Sequence, residues 1–222
     1  MMNNIDLGYH PLGLNYGYYI DKSPQNVLEE LRQQINNLQG DFSKGEKYND
    51  DLAGEIEHEY GIVPQFQTKQ YIKGLAQRFE NESQYMTSNY HPTPTLNFDD
   101  LWVNFQQKYE YNPIHYHYGI YSFVIWYKVP FTFNNEVKYN YKLSEQNCNH
   151  GKFAFVNEIK NTTGKGTKGY QISPIKSLNL DIDKSKEGYV VIFPSNLSHI
   201  VYPFYSSDEY RITLAGNIRV LN

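Results

Sequence analysis

The chain lacks the features that mark secreted and membrane proteins. It has one cysteine, Cys148, among 222 residues, which excludes a disulfide within the chain. No run approaches the roughly 18 consecutive apolar residues of a transmembrane helix. No charged segment followed by an apolar run stands at the N-terminus. These absences predict a soluble protein of a reducing cytoplasm without a membrane partner.

A strong excess of charge is also missing. The formal net charge is -4, and no block of lysines and arginines occurs anywhere in the chain. Nucleic acids and anionic membranes attract proteins through such basic patches. The composition therefore predicts no nucleic-acid partner, and it leaves the oligomeric state open.

Aromatic residues are abundant instead, with 22 tyrosines and 12 phenylalanines. They suit strands and large cores, but an AT-biased genome produces the same enrichment, so it carries no functional weight. The length allows one sizeable core and predicts one domain over residues 1–222. We expect an N-terminal extension with bracing helices over residues 1–94 and a β-rich core over residues 95–222.

Helical periodicity is confined to the N-terminal part. Apolar residues recur at helical spacing between Ser23-Pro24, a typical helix start, and Gly40. A second helix is predicted from about Tyr71 to Glu82. The segment Leu52 to Tyr60 indicates a mixed turn and helix with a solvated acidic face that includes Glu59.

From about residue 95 the period becomes two. Leu101, Val103 and Phe105 alternate with Trp102, Asn104 and Gln106. Further strands are predicted at Tyr121 to Val129, Glu136 to Lys142, Lys152 to Ile159, Tyr189 to Phe193, Ile200 to Phe204 and Tyr210 to Val220. A flexible loop near the site is expected at Asn161 to Gly169. Many short strands favour a sandwich, barrel or jelly roll.

Three histidines are candidate metal ligands. On an extended strand, His115 and His117 project to the same side, and His199 lies in a second strand-like segment. Two histidines with a third ligand, usually a carboxylate, bind non-haem iron and leave positions open for substrate and oxidant. Two exposed strand histidines with an unrelated third would give the same spacing.

A candidate anion clamp follows these histidines. Arg211 and Thr213 share one face of the last strand-like segment. Arginine in an apolar strand needs an anionic partner and binds carboxylates through two parallel hydrogen bonds. A structural salt bridge to Asp208 or Glu209 is the alternative. Tyr127 has the same parity as the His115–His117 pair, so its hydroxyl is predicted to enter the same cavity.

The order of these motifs resembles the iron(II)- and 2-oxoglutarate-dependent oxygenases, in particular the prolyl-4-hydroxylase-like oxygenases of marine phages and bacteria. The resemblance rests on four stretches that cover much of residues 50–218. They are Asn112 to Gly119, Ser122 to Pro130, Phe193-Pro-Ser-x-Leu-x-His199 with its continuation to Phe204, and Arg211-Ile-Thr213.

This resemblance implies a mainly β fold, a double-stranded β-helix (jelly roll, cupin-like) with supporting N-terminal α-helices. It implies Fe(II) held by His115, His117 and His199, with 2-oxoglutarate and O2 as cosubstrates. The distal carboxylate of 2-oxoglutarate would meet Arg211, Thr213 and Tyr127, and Asn104 would touch its chelated end. The expected activity is hydroxylation of a peptidyl proline or another protein side chain, in the host cytoplasm if the source is viral.

The sequence departs from the family at position 117, where Asp or Glu is usual. Three neutral imidazoles leave the centre one negative charge short and also suit zinc, nickel or copper. A register in which His117 and Gly119 form a His-x-Gly motif would resemble the iron halogenases and leave His115 without a role. Two other functions stay open: a three-histidine cupin-type dioxygenase without 2-oxoglutarate, and a non-catalytic jelly-roll binding or structural module.

Overall fold

A computed structural model describes residues 5–48, 54–139, 147–158 and 175–221. The α-helices in these ranges are α1 (Gln25–Gly40), α2 (Phe66–Ser83), α3 (Tyr85–Asn89) and α4 (Phe133–Tyr139). The strands there are β1 (Gly8–Gly13), β2 (Tyr16–Lys22), β3 (Glu59–Gly61), β4 (Leu96–Gln106), β5 (Asn112–His115), β6 (Tyr121–Lys128), β7 (Phe153–Glu158), β8 (Ile175–Leu180), β9 (Tyr189–Pro194), β10 (His199–Val201) and β11 (Arg211–Val220).

The strands form two antiparallel sheets. The large sheet has the order β1-β2-β9-β6-β11-β4-β3, and the small sheet has the order β5-β10-β7-β8. Aromatic side chains join their inner faces, and the ring centroids of Phe155 and Phe193 lie 5.0 Å apart. Two packed antiparallel sheets confirm the predicted jelly roll. The N-terminal strands β1, β2 and β3 all belong to the large sheet.

Helices α1 and α2 cover the outer face of the large sheet. One side of each helix is buried, for example at Leu31 in α1 and Phe79 in α2, both 0% exposed. These side chains pack against the outward set of β4, which includes Val103 and Phe105. The other set of β4 side chains, which includes Trp102 and Asn104, therefore points inward to the space between the sheets. Helix α1 begins at Gln25, so the predicted N-terminal helix is confirmed.

One predicted strand is wrong. Glu136 lies in helix α4, not in a strand, and residues 140–142 fall outside the described ranges. The Glu136 side chain is 0% exposed and accepts hydrogen bonds from the backbone N–H groups of Tyr205 and Ser206. This tertiary contact, which joins residues about 70 positions apart, overrides the strand preference of Val137 and Tyr139.

The interpretation of Leu52 to Tyr60 is also wrong where it can be examined. Residues 54–58 contain no helix, and Glu59–Gly61 pairs with β4. Glu59 is 1% exposed, so its face is not solvated. The predicted loop at 161–169 and residues 49–53 lie outside the described ranges. No helix in the described part of the chain is long and apolar enough to cross a membrane.

Candidate metal centre and adjoining pocket

The three candidate histidines come together between the sheets. His115 ends β5, His199 begins β10, and the two residues pair directly across these antiparallel strands. His117 follows two residues after β5. The potential ligand nitrogens of the three side chains all lie within 4.8 Å of one another. The site therefore combines one cross-strand pair with one side chain from the following loop.

Backbone carbonyls orient two of the rings. His115 Nδ1 lies 2.7 Å from the carbonyl oxygen of Pro113, and His199 Nδ1 lies 3.0 Å from that of Leu197. A carbonyl only accepts, so each Nδ1 carries the proton and each Nε2 keeps a free lone pair. This second-sphere arrangement is typical of metal-binding histidines.

Burial keeps all three imidazoles neutral. It lowers the pKa of His115 and lowers that of His117 to about 4. His199 is 2% exposed between Phe153 and Phe193, and burial holds its pKa well below the usual value. Three neutral, convergent nitrogen donors fit a divalent transition metal such as Fe(II) without prior deprotonation.

His117 is held in position by contacts of its loop and not by strand pairing. Its backbone N–H donates to the carbonyl oxygen of Ser195 at 2.8 Å, and its ring packs 5.7 Å from that of Trp102. Gly119 has φ +137°, and a Cβ there would lie 3.0 Å from the carbonyl oxygen of Ile218. The chain must therefore turn at a glycine two residues after His117.

A pocket extends from the histidines to Arg211 and Thr213, between the sheets. The pocket is lined by Trp102, Asn104, Asn112, His115, His117, Val124, Trp126, Phe153, His199, Val201, Arg211, Thr213 and Ala215. The predicted ligand set and the predicted clamp thus share one cavity. Val124, Trp126 and Phe153 form the apolar part of its wall.

Arg211 is a buried cation held by neutral acceptors. It is 1% exposed, and its guanidinium donates to Gln106 Oε1 twice and to the carbonyl oxygens of Gly151 and Tyr202. One Nη1 hydrogen has no acceptor among the described residues. Burial lowers the pKa of Arg211 to about 9. A buried charge with only neutral partners is suited to bind an anion.

The alternative salt bridge to Arg211 does not form. Asp208 pairs with Lys108, and Glu209 pairs with Lys128 at 2.5 Å. In the described part of the chain, no carboxylate lies within ion-pair distance of Arg211. Among the described residues, the only acid that acts on the pKa of Arg211 is Glu136, whose carboxylate accepts hydrogen bonds from the backbone at Tyr205 and Ser206. The anionic partner expected from the sequence is therefore not a protein side chain in the described ranges.

Asn104 and Thr213 lie next to each other in the pocket, but Tyr127 lies outside it. Asn104 Nδ2 donates to Thr213 Oγ1 at 3.3 Å across β4 and β11. In β6, Trp126 points into the pocket and Tyr127 packs on the helix side. The predicted position of Tyr127 is wrong because a loop separates β6 from His115, and strand parity does not carry across a loop.

Sequence reasoning missed several pocket residues. Gln106 binds Arg211, while Trp102, Asn112 and Trp126 line the cavity. The signal for Gln106 was available, because it shares the inward face of β4 with Asn104. Asn112 required the three-dimensional pairing of β5 with β10, which no local pattern reports.

Glu59 lies opposite Asn104 in the pairing of β3 with β4, and its Oε1 has no hydrogen-bond partner. Burial and the negative charge of Glu110 raise the pKa of Glu59 to about 7. The unfolded-state pKa of glutamate is about 4.3. The folded protein therefore binds more protons than the unfolded one in this interval, and stability falls as pH rises from about 4.3 to 7.

Glu59→Gln should remove this loss of stability. We expect the variant to match the parent protein in stability near pH 5 and to exceed it at pH 8 by on the order of 2 kcal/mol. Urea unfolding at the two pH values measures the difference. The exposed Glu29→Gln is the matched control, and the same pH dependence in all three proteins would contradict the assignment.

A family model described as 2OG-Fe(II) oxygenase matches residues 100–217, more than half of the chain. No curated protein matches the sequence. Among solved structures, a prolyl-4-hydroxylase of Pseudomonas putida is 13% identical with a TM-score of 0.51, and the match covers 93% of this chain and 94% of that chain.

Two enzymes of nogalamycin biosynthesis are also similar in structure. The non-haem α-ketoglutarate-dependent epimerase SnoN is 10% identical with a TM-score of 0.53, covering 93% of this chain and 79% of that chain. The corresponding carbocyclase SnoK is 11% identical with a TM-score of 0.50, covering 91% and 79%. At these identities the likeness concerns the fold alone.

Proposed function

Because this chain belongs to the family of 2OG-Fe(II) oxygenases, we propose that it is a hydroxylase whose metal and cosubstrate sites are the two ends of the pocket described above. The observation that carries the proposal is the shared cavity. Three neutral histidines lie at one end of it, and the buried Arg211, which has no carboxylate partner among the described residues, lies at the other. Fe(II), 2-oxoglutarate and O2, the cofactors of this family, supply the oxidising chemistry when bound.

His115, His117 and His199 are the proposed iron ligands. The carbonyls of Pro113 and Leu197 hold His115 and His199 with their Nε2 lone pairs free, so these two rings need little rearrangement on binding. The three potential ligand nitrogens lie within 4.8 Å of one another, and the pocket that they line also contains Arg211 and Thr213. Cosubstrate and oxidant would bind in this remaining space, because catalytic non-haem sites keep coordination positions open.

Arg211, Thr213 and Asn104 are the proposed 2-oxoglutarate contacts. The guanidinium supplies positive charge and a free Nη1 hydrogen. Thr213 Oγ1, which already accepts from Asn104, keeps its own hydrogen for a carboxylate oxygen. The low dielectric between Trp126 and Phe153 strengthens these contacts relative to water. Tyr127 is left out, because it faces the helices.

Hydroxylation of a peptidyl side chain, with proline as the first candidate, is the proposed reaction. The similar structures include an epimerase and a carbocyclase, so the fold does not choose the outcome. Support comes from a rim of exposed side chains that alternate with the inward histidines: Ile114, Tyr116 and Tyr118 are 59%, 55% and 81% exposed. Exposed aromatic groups beside a site suit a macromolecular ligand.

The double substitution Tyr116→Ser and Tyr118→Ser tests this substrate class. We expect the KM for a hydroxylated peptide to rise about tenfold, while 2-oxoglutarate binding stays unchanged, because the rim contacts only the substrate. The assay incubates proline-containing peptides with Fe(II) and 2-oxoglutarate and measures a mass gain of one oxygen. Tyr139→Ser is the control, because Tyr139 is 52% exposed and so matches Tyr116.

Two results would count against a peptide substrate. One is an oxygen gain on small amines or sugars but on no peptide. The other is an unchanged KM in the rim variant when the peptide is a substrate.

A further inference from the structure

The proposed metal centre lacks a carboxylate. Position 117 holds histidine, and among the described residues that line the pocket none is Asp or Glu. A divalent ion bound by three neutral imidazoles keeps its full charge of two. Negative charge farther out tunes such centres, because the interaction persists through the low-dielectric interior.

A row of polar side chains crosses the end of the large sheet beside the histidines. Asp100, Asn217 and Ser122 are register partners on β4, β11 and β6. Asn217 Nδ2 donates to Asp100 at 3.1 Å, and Ser122 Oγ donates to Asn217 Oδ1 at 2.7 Å. Ser122 Oγ also lies 2.9 Å from Ser195 Oγ. We call these four residues the polar row.

The polar row is nearly buried and ends at the segment that carries His117. Ser195 is 0% exposed, Ser122 2% and Asn217 5%. The carbonyl oxygen of Ser195 accepts from the His117 N–H at 2.8 Å, and the Ser195 N–H donates to Ile120 at 3.1 Å. Ser195 thus holds the loop on both sides of Gly119. A buried and connected network of this kind fixes one geometry.

Asp100 lies at the other end of the polar row, on the strand whose Trp102 contacts the same histidine. Its carboxylate, 12% exposed, accepts from Tyr48, Asn217 and Arg219. Trp102, two residues after Asp100 on the same face of β4, packs against the His117 ring.

We propose that Asp100 is a positioning residue of the metal centre: through the polar row it holds His117 in place, and from outside the ligand set it supplies the negative charge that position 117 lacks. The inference rests on the proposed role of the three histidines. It assigns Asp100 no contact with substrate or metal. It also gives a reason for a histidine at 117, since the compensating charge is fixed elsewhere in the fold.

Co(II) titration followed by its visible d–d absorption tests the proposal without turnover. We expect Asp100→Asn to weaken Co(II) binding about tenfold and to shift the absorption maxima, the scale found for outer-sphere partners. Asp208→Asn, a surface acid that pairs with Lys108, should bind like the parent protein. A folded Asp100→Asn protein with parent-like affinity and spectrum would overturn the proposal.

Arg219→Gln is expected to change the Co(II) affinity in the opposite direction. Arg219 is exposed, so its substitution should leave the fold intact. The substitution removes a largely exposed cation that partly offsets the charge of Asp100, so Co(II) should bind about two- to fivefold more tightly, the range of one exposed ion pair. Unchanged or weaker binding would overturn the proposal. Failure of the parent protein itself to bind Co(II) would instead refute the proposed metal centre, so the two failures are distinguishable.

Discussion

His199→Ala is expected to weaken Fe(II) or Co(II) binding by about 100-fold or more and to abolish 2-oxoglutarate turnover. Loss of an outer-sphere partner costs up to about 100-fold in metal affinity, and loss of a ligand costs at least as much. His199 is the most buried of the three, with its Nδ1 already bonded to Leu197. Its removal leaves two ligands, one of them on a loop.

The matched control for His199→Ala is His150→Ala, a half-buried histidine that contacts Tyr205 outside the pocket. Metal affinity is measured by competition with a coloured chelator, and circular dichroism confirms that each variant is folded. Metal binding by His199→Ala that equals that of the His150→Ala control would contradict the ligand assignment.

Arg211→Met should raise the KM for 2-oxoglutarate by about 100-fold or more, since loss of one partner of a buried charge pair costs several kcal/mol. Methionine keeps much of the side-chain volume against Phe131 and Phe204, whose rings lie 5.8 and 5.6 Å from the guanidinium. Arg211→Lys keeps the charge but loses the planar fork, so an intermediate KM is expected.

Succinate formation measures the Arg211 effect, with the exposed Arg78→Gln as control. The same assay separates the two enzyme classes left open by the sequence. Oxygen consumption that is independent of 2-oxoglutarate and unaffected by Arg211→Met would indicate a three-histidine dioxygenase that oxidises its substrate directly. That result would refute the cosubstrate role of the clamp.

Local sequence patterns were sufficient to predict features that lie within a single strand or helix. The alternation over residues 101–106 predicted the strand that becomes β4, and the two-residue spacing of Arg211 and Thr213 predicted the shared face that lines the pocket. The apolar stripe of α1 predicted a bracing helix. In each case the period of two or 3.6 residues is a direct consequence of backbone geometry.

Long-range contacts account for what the sequence did not reveal. Tyr127 was misplaced because parity is lost across the loop between β5 and β6. Glu136 looked strand-like, yet its buried bonds to the backbone at Tyr205 and Ser206 belong to a helix. The link from Asp100 to Asn217 joins residues 117 positions apart and depends on the register of β4 with β11.

The structure also bears on the alternative register at the histidine pair. A His-x-Gly reading of His117 and Gly119 leaves His115 without a role. His115 nevertheless pairs with His199 across β5 and β10, and its Nδ1 is fixed by Pro113 with Nε2 free. The positive φ at position 119 and the close approach of the Ile218 carbonyl oxygen explain why this residue is glycine. These contacts favour a centre built from all three histidines.

Anaerobic titration with Fe(II) and then 2-oxoglutarate tests the central claim most directly, because the visible charge-transfer band of the chelate requires both ends of the pocket. We expect a band that saturates with one equivalent of each component in the parent protein. The band should be absent in His199→Ala and should need far more 2-oxoglutarate in Arg211→Met. Folded, iron-loaded parent protein that shows no band with excess 2-oxoglutarate would contradict the account.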